Sequence, residues 1–552
     1  MAQQVAPPGA VPTPEQLKPP VPAAKADAPA LPAPVARELG KPGDEITLDV
    51  TGYDLDPTAP AEVRAALPAL TKAFVGRQRS YEDLINATAA VTRFMQRELG
   101  FYLGYAYLPE QTPTNGVIRI AVLEGRLDQV ILNWPDKMPI DKAVVEAYLA
   151  RLKPGEILRV RDVERIVFLV NDLRGINARF EVKSGRTPGT ASLVVTPQPE
   201  ERLAMRAEVD TLGSRYSGTV RASALGIVSS PMGRGDGLVL NALVTQKAGL
   251  GFVLAGYTLP VGSDGLKIGT SLSAVRYKLD KAELESALEL SGDATALTLY
   301  ALYPMIRSRN LNLFGLLSVD GKSFNDKQAV ITQTKRISDV QISFSGDARD
   351  DYLTGGVNTF EVTLLTGKVT LGNRGAANDN PPNFSLAKLN ATRLQNLVSN
   401  RLLMYLSLRS QVAFKNLDTT EQFQLGGPDK VRAFAPGEGT GDSGISTSVE
   451  LRFLPPDEWF GRVSRELVFS GFVDFGRVKL RQDPAAAIAA AIANSTEFVN
   501  TVSLSGWGIG AVWDRPRDFA LRAYLAWPIK GTPKNDPKEQ KPRILAAASK
   551  SF

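Results

Sequence analysis

The octapeptide LAMRAEVD, running from Leu203 to Asp210, sets Leu203, Met205, Ala207 and Val209 against Ala204, Arg206, Glu208 and Asp210. A period of two sends alternate side chains to opposite faces of a strand, so one face is apolar and the other largely polar. The same texture returns along the rest of the chain. Leu402, Met404, Leu406 and Leu408 oppose Tyr405, Ser407 and Arg409, while Val449, Leu451 and Phe453 oppose Ser448, Glu450 and Arg452. Near the end, Phe519, Leu521, Ala523, Leu525 and Trp527 oppose Arg522 and Tyr524. Turns of Gly, Asn, Asp and Pro separate these segments. About 350 residues of this pattern allow roughly sixteen antiparallel strands at about 22 residues per strand and loop, the size of a membrane β-barrel. A soluble sandwich or propeller also alternates. The barrel alone explains large apolar side chains on so many segments without a covering layer of helices.

Composition removes several chemistries. The 552 residues include neither His nor Cys, which excludes a Ser-His-Asp triad, a Cys nucleophile, a disulfide framework and His/Cys zinc or haem sites. A metal would have to rely on oxygen ligands alone. No catalytic set, cofactor or metal is expected. The net charge of +6 is small for the length and forms no concentrated basic block, so no nucleic-acid partner is expected. The longest low-polarity run, Ala485 to Ala493, is about half of the roughly 20 residues a membrane-crossing helix needs. A closed barrel needs no such helix.

Residues 1–43 are rich in Pro and Ala and read as a tail or linker. No charged-then-apolar export signal precedes them, and Ala2-Gln3-Gln4 reads as a mature start with the signal already removed. Two small α/β units are expected next, over 44–124 and 125–199, each in the order strand, helix, helix, strand, strand. In the first, Ser80 to Asp83 is a capping sequence, Leu84, Val91, Phe94 and Met95 share a helical face, and Gly100 ends the helix. Strands over Phe101 to Leu108 and Val117 to Leu123 follow. In the second, Leu127 to Leu132 is a strand, Asp141 to Arg151 and Arg161 to Leu173 are helices, and Ile176 to Lys183 and Ser192 to Thr196 are strands. Pro197 and Pro199 mark the boundary with the region of 200–552.

Several short stretches in this order carry a family likeness. They are GFYLGYAYLPEQ (from Gly100), VIRIAVLEG (from Val117), LGSRYSGTVRASA (from Leu212), LYPMIRSRNLNL (from Leu302), QLGGPDKVRAFAPGEGTGD (from Gln424), GFVDFGRV (from Gly471) and the terminal Phe552. Together, over about Asp44 to Phe552, the chain resembles the two-partner secretion transporters, the TpsB-type exporters of haemolysin and filamentous haemagglutinin. That resemblance implies two periplasmic POTRA domains, a sixteen-stranded outer-membrane barrel, and export of a large, unfolded, β-rich exoprotein bearing an N-terminal secretion domain. It also implies a sixth extracellular loop, around 424–445, that folds inward and carries a Val-Arg-Gly-aromatic motif. Here the motif reads Val431, Arg432, Ala433, Phe434. Ala in place of Gly restricts the backbone if that position needs positive φ. The family's wall motif matches Phe472, Asp474 and Gly476, which share one strand face. A guanidinium in a lumen needs a carboxylate, so Arg432 is expected to meet Asp474, with Glu450 as a second acceptor.

An extended passenger could pair with an exposed strand edge in the first unit, where Phe101, Tyr102, Tyr105 and Tyr107 are the candidate capture residues. The same aromatics serve equally as core. The prolines of the tail argue against a long plug helix, and Thr13 to Lys18 gives a short turn at most. The expected surroundings are outer-membrane lipid and a monomeric barrel. Two rival classes remain: an assembly insertase, which usually carries more POTRA copies, and a porin or adhesin, which needs none. Gly315 to Ser323 resembles a phosphate loop but has one residue too many and no following helix. Arg234-Gly235-Asp236 reads as a hairpin turn, and Gly506, Gly508 and Gly510 as glycines relieving crowding inside the barrel.

Overall fold

A computed structural model describes residues 47–284, 289–328, 331–372, 380–533 and 541–552. The Pro/Ala-rich tail, with its expectations about a plug and a mature start, lies outside them. The first α/β unit consists of β1 (Thr47–Val50), β2 (Gly52–Leu55), α1 (Ala61–Thr71), β3 (Gly76–Ser80), α2 (Tyr81–Arg93), β4 (Tyr105–Tyr107) and β5 (Val117–Leu123). Ser80 and Asp83 close a reciprocal capping box on α2, which satisfies N–H groups that the first turn leaves free. Its apolar face, with Leu84 and Val91, is buried, as is Met95 in the π turn Phe94–Glu98 that follows, while Phe94, expected on the same face, is half-buried.

The second unit repeats the plan with β6 (Arg126–Leu132), α3 (Lys142–Leu149), α4 (Val160–Asn171), β7 (Ile176–Ser184) and β8 (Thr190–Pro199). The topology is the same in both. The last strand of each unit is central, parallel to the strand before the helices and antiparallel to the one after them, in the orders β2-β5-β4 and β6-β8-β7. Pro197 and Pro199, expected beyond the strand, lie within β8, where they face Ala178 and Ile176 of β7. Strand β6 ends opposite Val195, so one side of β8 is an open edge there and tolerates residues without an N–H.

Sixteen strands then close into one barrel. They are β9 (Leu203–Asp210), β10 (Arg221–Ser229), β11 (Gly237–Thr245), β12 (Leu250–Pro260), β13 (Lys267–Lys278), β14 (Leu290–Arg307), β15 (Leu311–Gln328), β16 (Ile331–Asp350), β17 (Gly356–Leu371), β18 (Asn383–Val398) and β19 (Leu402–Ala413), and, after two short strands β20 (Phe423–Gln424) and β21 (Thr440–Gly441) within a loop, β22 (Ser443–Phe453), β23 (Leu467–Lys479), β24 (Thr501–Arg515), β25 (Phe519–Lys530) and β26 (Arg543–Ser551). Every barrel neighbour is antiparallel, and β26 closes on β9 from Ala547 opposite Asp210 to Ser551 opposite Arg206. Phe552 extends this seam by exchanging two backbone hydrogen bonds with Met205.

The alternation turns the apolar face outward. Leu203, Met205, Val449, Leu451, Val473, Trp507 and Ile509 are exposed, whereas Asp210, Asp320, Asp339, Glu450 and Asp474 are buried in the lumen. No helix among the described residues is long and apolar enough to cross a membrane, and the strands supply an outward apolar band instead. The end where the α/β units attach is called proximal here, and the opposite end distal. At the proximal end Arg307 of β14 grips Asp172, just past α4, through Nε–Oδ2 at 2.9 Å and Nη2–Oδ1 at 2.7 Å. Arg165 of α4 also donates to the Pro304 carbonyl at 3.0 Å, so the second unit is docked on the barrel rim. Gly315 to Ser323 lies inside β15, not in a loop, and Arg234 to Asp236 belongs to the β10–β11 hairpin turn. Ala485–Ala493, too short to cross a membrane, is a helix in a distal loop.

Candidate functional site: the loop inside the barrel

Residues 414–442 join β19 to β22 and form the sixth distal connection. Instead of arching over the mouth, they descend into the lumen. Strands β20 and β21 pair as a narrow stem. Below it the chain reverses through Leu425 to Phe434, with Val431 N–H donating to the Leu425 carbonyl at 3.0 Å and Gly427 N–H to the Phe434 carbonyl at 3.0 Å. Val431, Ala433 and Phe434 pack with Phe423, Leu425, Phe472, Val478, Leu504 and Ala526, which forms an apolar seat on β23 to β25.

Arg432 is held within that seat at 8% exposure, and its guanidinium uses all three nitrogens. Nε donates to Asp474 Oδ2 at 2.9 Å, Nη2 to Asp474 Oδ1 at 2.8 Å and to Ser448 Oγ at 2.9 Å, and Nη1 to Glu450 Oε2 at 2.6 Å. Its backbone N–H also reaches Asp474 Oδ2, at 3.0 Å. The planar fork meets a carboxylate bidentately, which a lysine cannot do. Ser448 Oγ donates to Asp474 at 2.7 Å, and Arg452 Nε donates to Glu450 Oε1 at 2.8 Å. Two cations therefore face two carboxylates, and the set is electrically balanced, with both carboxylates buried. The Phe472 ring lies 3.3 Å from the Arg432 guanidinium carbon, which adds a cation–π contact.

Small residues in the wall make room for the tip. A Cβ on Gly506 would stand 2.5 Å from Ala433 Cβ, and one on Gly476 would stand 2.7 Å from Leu425 Cδ2. Ala433 does not have positive φ, so the restriction attached to Ala at this position does not arise. The volume of its methyl is matched by the missing side chain of Gly506. Gly508 serves Phe472 in the same way, because a Cβ there would lie 2.3 Å from the ring.

A second anchorage at the base of the loop was not visible in the sequence. Lys322 of β15, fully enclosed, lies 2.8 Å from Asp339 of β16 and 3.0 Å from Glu421 of the loop. Lys335 of β16 meets Asp418 of the loop at 2.7 Å. Gln411 Nε2 donates to the Glu421 carbonyl at 2.9 Å and the Asp442 carbonyl at 3.0 Å, tying both legs of the loop to β19. The only sequence signal was the inward face of β15, Ser318, Asp320 and Lys322, buried opposite an outward Leu317 and Val319. Nothing local connects Lys322 to a residue 99 positions away.

Beside the loop lie spaces of about 470 and 250 Å3, whose walls include the charged residues Glu361, Lys388, Arg409 and Arg522.

The aromatics expected to capture a passenger separate into two groups. Phe101 and Tyr102 are not in a strand: Phe101 N–H closes onto the Met95 carbonyl at 2.8 Å, prolonging the end of the α2 turn, and Gly100 adopts φ +66°. Phe101 is buried in the core of the first unit and Tyr102 in that of the second, so neither offers a surface to a passenger. The aromatic pattern read as one strand because adjacent residues serve two cores. Tyr105 and Tyr107 remain half-buried on β4, an edge strand, with rings 6.4 Å apart and stacked. Ala106 N–H on that edge is already donated to Thr92 Oγ1 at 2.9 Å.

A profile described as haemolysin secretion/activation protein ShlB/FhaC/HecB matches residues 189–498, and one for the ShlB-type POTRA domain matches residues 48–125. The chain belongs to the ShlB/FhaC/HecB family. It is 24% identical over 483 residues to the heme/hemopexin transporter protein HuxB of Haemophilus influenzae, covering 86% of this chain and 82% of that protein. It is 24% identical over 475 residues to the outer membrane transporter CdiB of Dickeya dadantii, covering 84% and 79%. The solved structure of CdiB from Escherichia coli has the same fold, with a TM-score of 0.72 at 18% identity and 94% of each chain covered. This transporter is thus an outer-membrane pore of two-partner secretion that exports a large partner protein. Its POTRA domains lie in the periplasm, so the proximal end is periplasmic and the distal end extracellular.

Proposed function

We propose that the sixth extracellular loop is the closed gate of this pore and that Arg432 is its latch. The observation that carries this reading is the charge-balanced set in which buried Arg432, Asp474 and Glu450 are joined by half-buried Ser448 and Arg452. A lumen filled by a packed loop cannot pass a chain, so export requires the tip to leave its seat. Val431, Ala433 and Phe434 supply the apolar part of the seat, with Phe472 and Gly476 as its wall. Lys322 and Lys335 form a second pin at the base of the loop.

The passenger is an unfolded exoprotein with an N-terminal secretion domain, caught in the periplasm by strand pairing. Tyr105 and Tyr107 on the β4 edge are the remaining candidates for that capture, and an incoming strand must compete with Thr92 for the Ala106 N–H. The periplasm offers no ATP, so folding of the passenger outside supplies direction. The barrel, closed on itself, works as a monomer in outer-membrane lipid.

Quantitative proteomics of culture supernatant and outer membrane tests the reading, comparing the intact protein, a deletion and Arg432→Ala in the native host. Loss of one large exoprotein from the medium in the deletion, with altered release in Arg432→Ala, is the expected result. Broad depletion of unrelated barrels would instead indicate an insertase, and no change in either fraction would sink the export reading.

A further inference from the structure

The connection between β22 and β23, residues 454–466, is the longest periplasmic turn of the barrel: thirteen residues, where the other six have three to seven. A strand pair needs only a few residues to reverse, so the extra length has another use. The turn is internally braced. Ser464, fully buried, donates through Oγ to the Pro456 carbonyl at 2.8 Å and accepts the Phe460 N–H at 3.2 Å. Arg465 Nη2 meets Asp457 Oδ2 at 2.8 Å. The short helix Asp457–Phe460 held this way displays Trp459 at 62% exposure and Phe460 at 47%. A braced turn that leaves its two largest apolar side chains outside is built to present them.

Their direction is set by the strands. Phe453 and Phe469 pair across β22 and β23 on the outward face that also carries Leu451 and Val473. The Trp459 ring lies 5.5 Å from Phe453, and Phe460 lies 6.2 Å from Phe469, so the turn continues the lipid-facing surface of the barrel. The row goes on around the wall. Trp513 pairs with Leu467 on the next strand, and its ring meets Phe519 at 5.0 Å, with Trp513 Nε1–H donated to Glu466 at 2.8 Å. An indole or phenyl ring beside polar tips and charged neighbours suits the boundary between acyl chains and headgroups.

We propose that turn 454–466 is an interfacial foot that beds Trp459 and Phe460 in the periplasmic leaflet of the outer membrane. Its partner is a phospholipid surface, reached by continuity with the barrel's own lipid-facing band. The foot stands directly beneath β22 and β23, the strands that carry Ser448, Glu450 and Asp474. Lipid contact there would hold the latch wall still while the loop moves.

The test uses the whole protein in proteoliposomes of phosphatidylcholine brominated near the top of the acyl chains, with iodide as aqueous quencher on both faces. The chain has five Trp, so the signal of Trp459 is the difference between the intact protein and Trp459→Phe. A Phe460→Trp variant that keeps Trp459, read as the difference from the intact protein, provides a second reporter if Trp459→Phe perturbs the turn. The expected difference emission is blue-shifted, quenched at least twofold by the brominated lipid and little by iodide. Quenching by iodide equal to that of a free indole, with no effect of bromine, would overturn the lipid assignment and make the patch a docking surface for a periplasmic protein.

Discussion

Replacing Arg432 by Met keeps much of its length and removes every hydrogen bond made by its guanidinium. Asp474 would retain Ser448 Oγ and the backbone N–H of residue 432, and Glu450 would retain Arg452. Breaking a buried pair costs about 3–5 kcal/mol when one charge is left uncompensated. Each carboxylate keeps a partner here, so the low end, about 3 kcal/mol, applies to the seated loop. In the withdrawn state the same carboxylates face a wet lumen and lose little. At about 1.4 kcal/mol per factor of ten, the withdrawn fraction should rise roughly 10²-fold. The chain has no Cys, so Ala435→Cys places a single thiol at a buried position of the tip. The maleimide labelling rate follows the withdrawn fraction when reseating is fast, and it should increase about 10²-fold in Arg432→Met. A barrel that stays folded, judged by its heat-modifiable mobility, and labels within twofold of the parent would refute the latch.

Three further outcomes follow from the geometry. Lys322→Met strips Asp339 and Glu421 of their shared cation, and should release the base of the loop by about 3 kcal/mol or more, read as faster labelling of a thiol at Thr420 by a reagent added from outside. Gly506→Ala should unseat the tip by about 1–3 kcal/mol through overpacking against Ala433, and Ala433→Gly in the same chain should restore most of it, a coupling the Ala435→Cys assay can read. In the second α/β unit, hydrogen bonds from Arg186 hold the Asp128 carboxyl down at about 2. A carboxyl depressed on folding contributes stability that is complete above its unfolded value near 3.9 and is lost as pH falls towards about 2. The melting difference between the intact protein and Arg186→Gln, followed by helical circular dichroism, should therefore be small, present at pH 5 and absent at pH 2. A difference independent of pH contradicts the assignment.

The readable parts of this molecule are those governed by short-range rules. Alternation in LAMRAEVD and its counterparts marks the strands, because each side chain's face depends only on its own position. The Ser80–Asp83 capping box and the repeated helix–strand order likewise need a few neighbouring residues. Phe101 and Tyr102 misled for the same reason. Their local pattern is that of a strand, while their environment is decided by two cores that meet at Gly100. The Arg432–Asp474 pair was legible through a family likeness, since the wall and loop motifs keep recognisable spacings. Lys322 with Glu421, and Ser448 within the latch, were not, because nothing in either segment states which wall the loop will touch. The Gly506 fit to Ala433 was half legible: the glycines announced close approach, and only the fold names what approaches.

In the proposed gate, the positions of the two anchors along the pore order the steps of opening. Arg432 meets Glu450 near the periplasmic end of β22, whereas Lys335 meets Asp418 close to the extracellular end of β16. A passenger delivered by the POTRA domains therefore encounters the tip before the base. Displacing the tip first frees the lower lumen while Lys322 and Lys335 still hold the stem across the upper half. The anchors lie on separate walls and share no partner, so their free energies should add, and neither loss alone gives the withdrawn fraction of the pair. A pore pinned twice can admit the leading segment of a chain without standing open to the medium. That is the property an exporter needs between one passenger and the next.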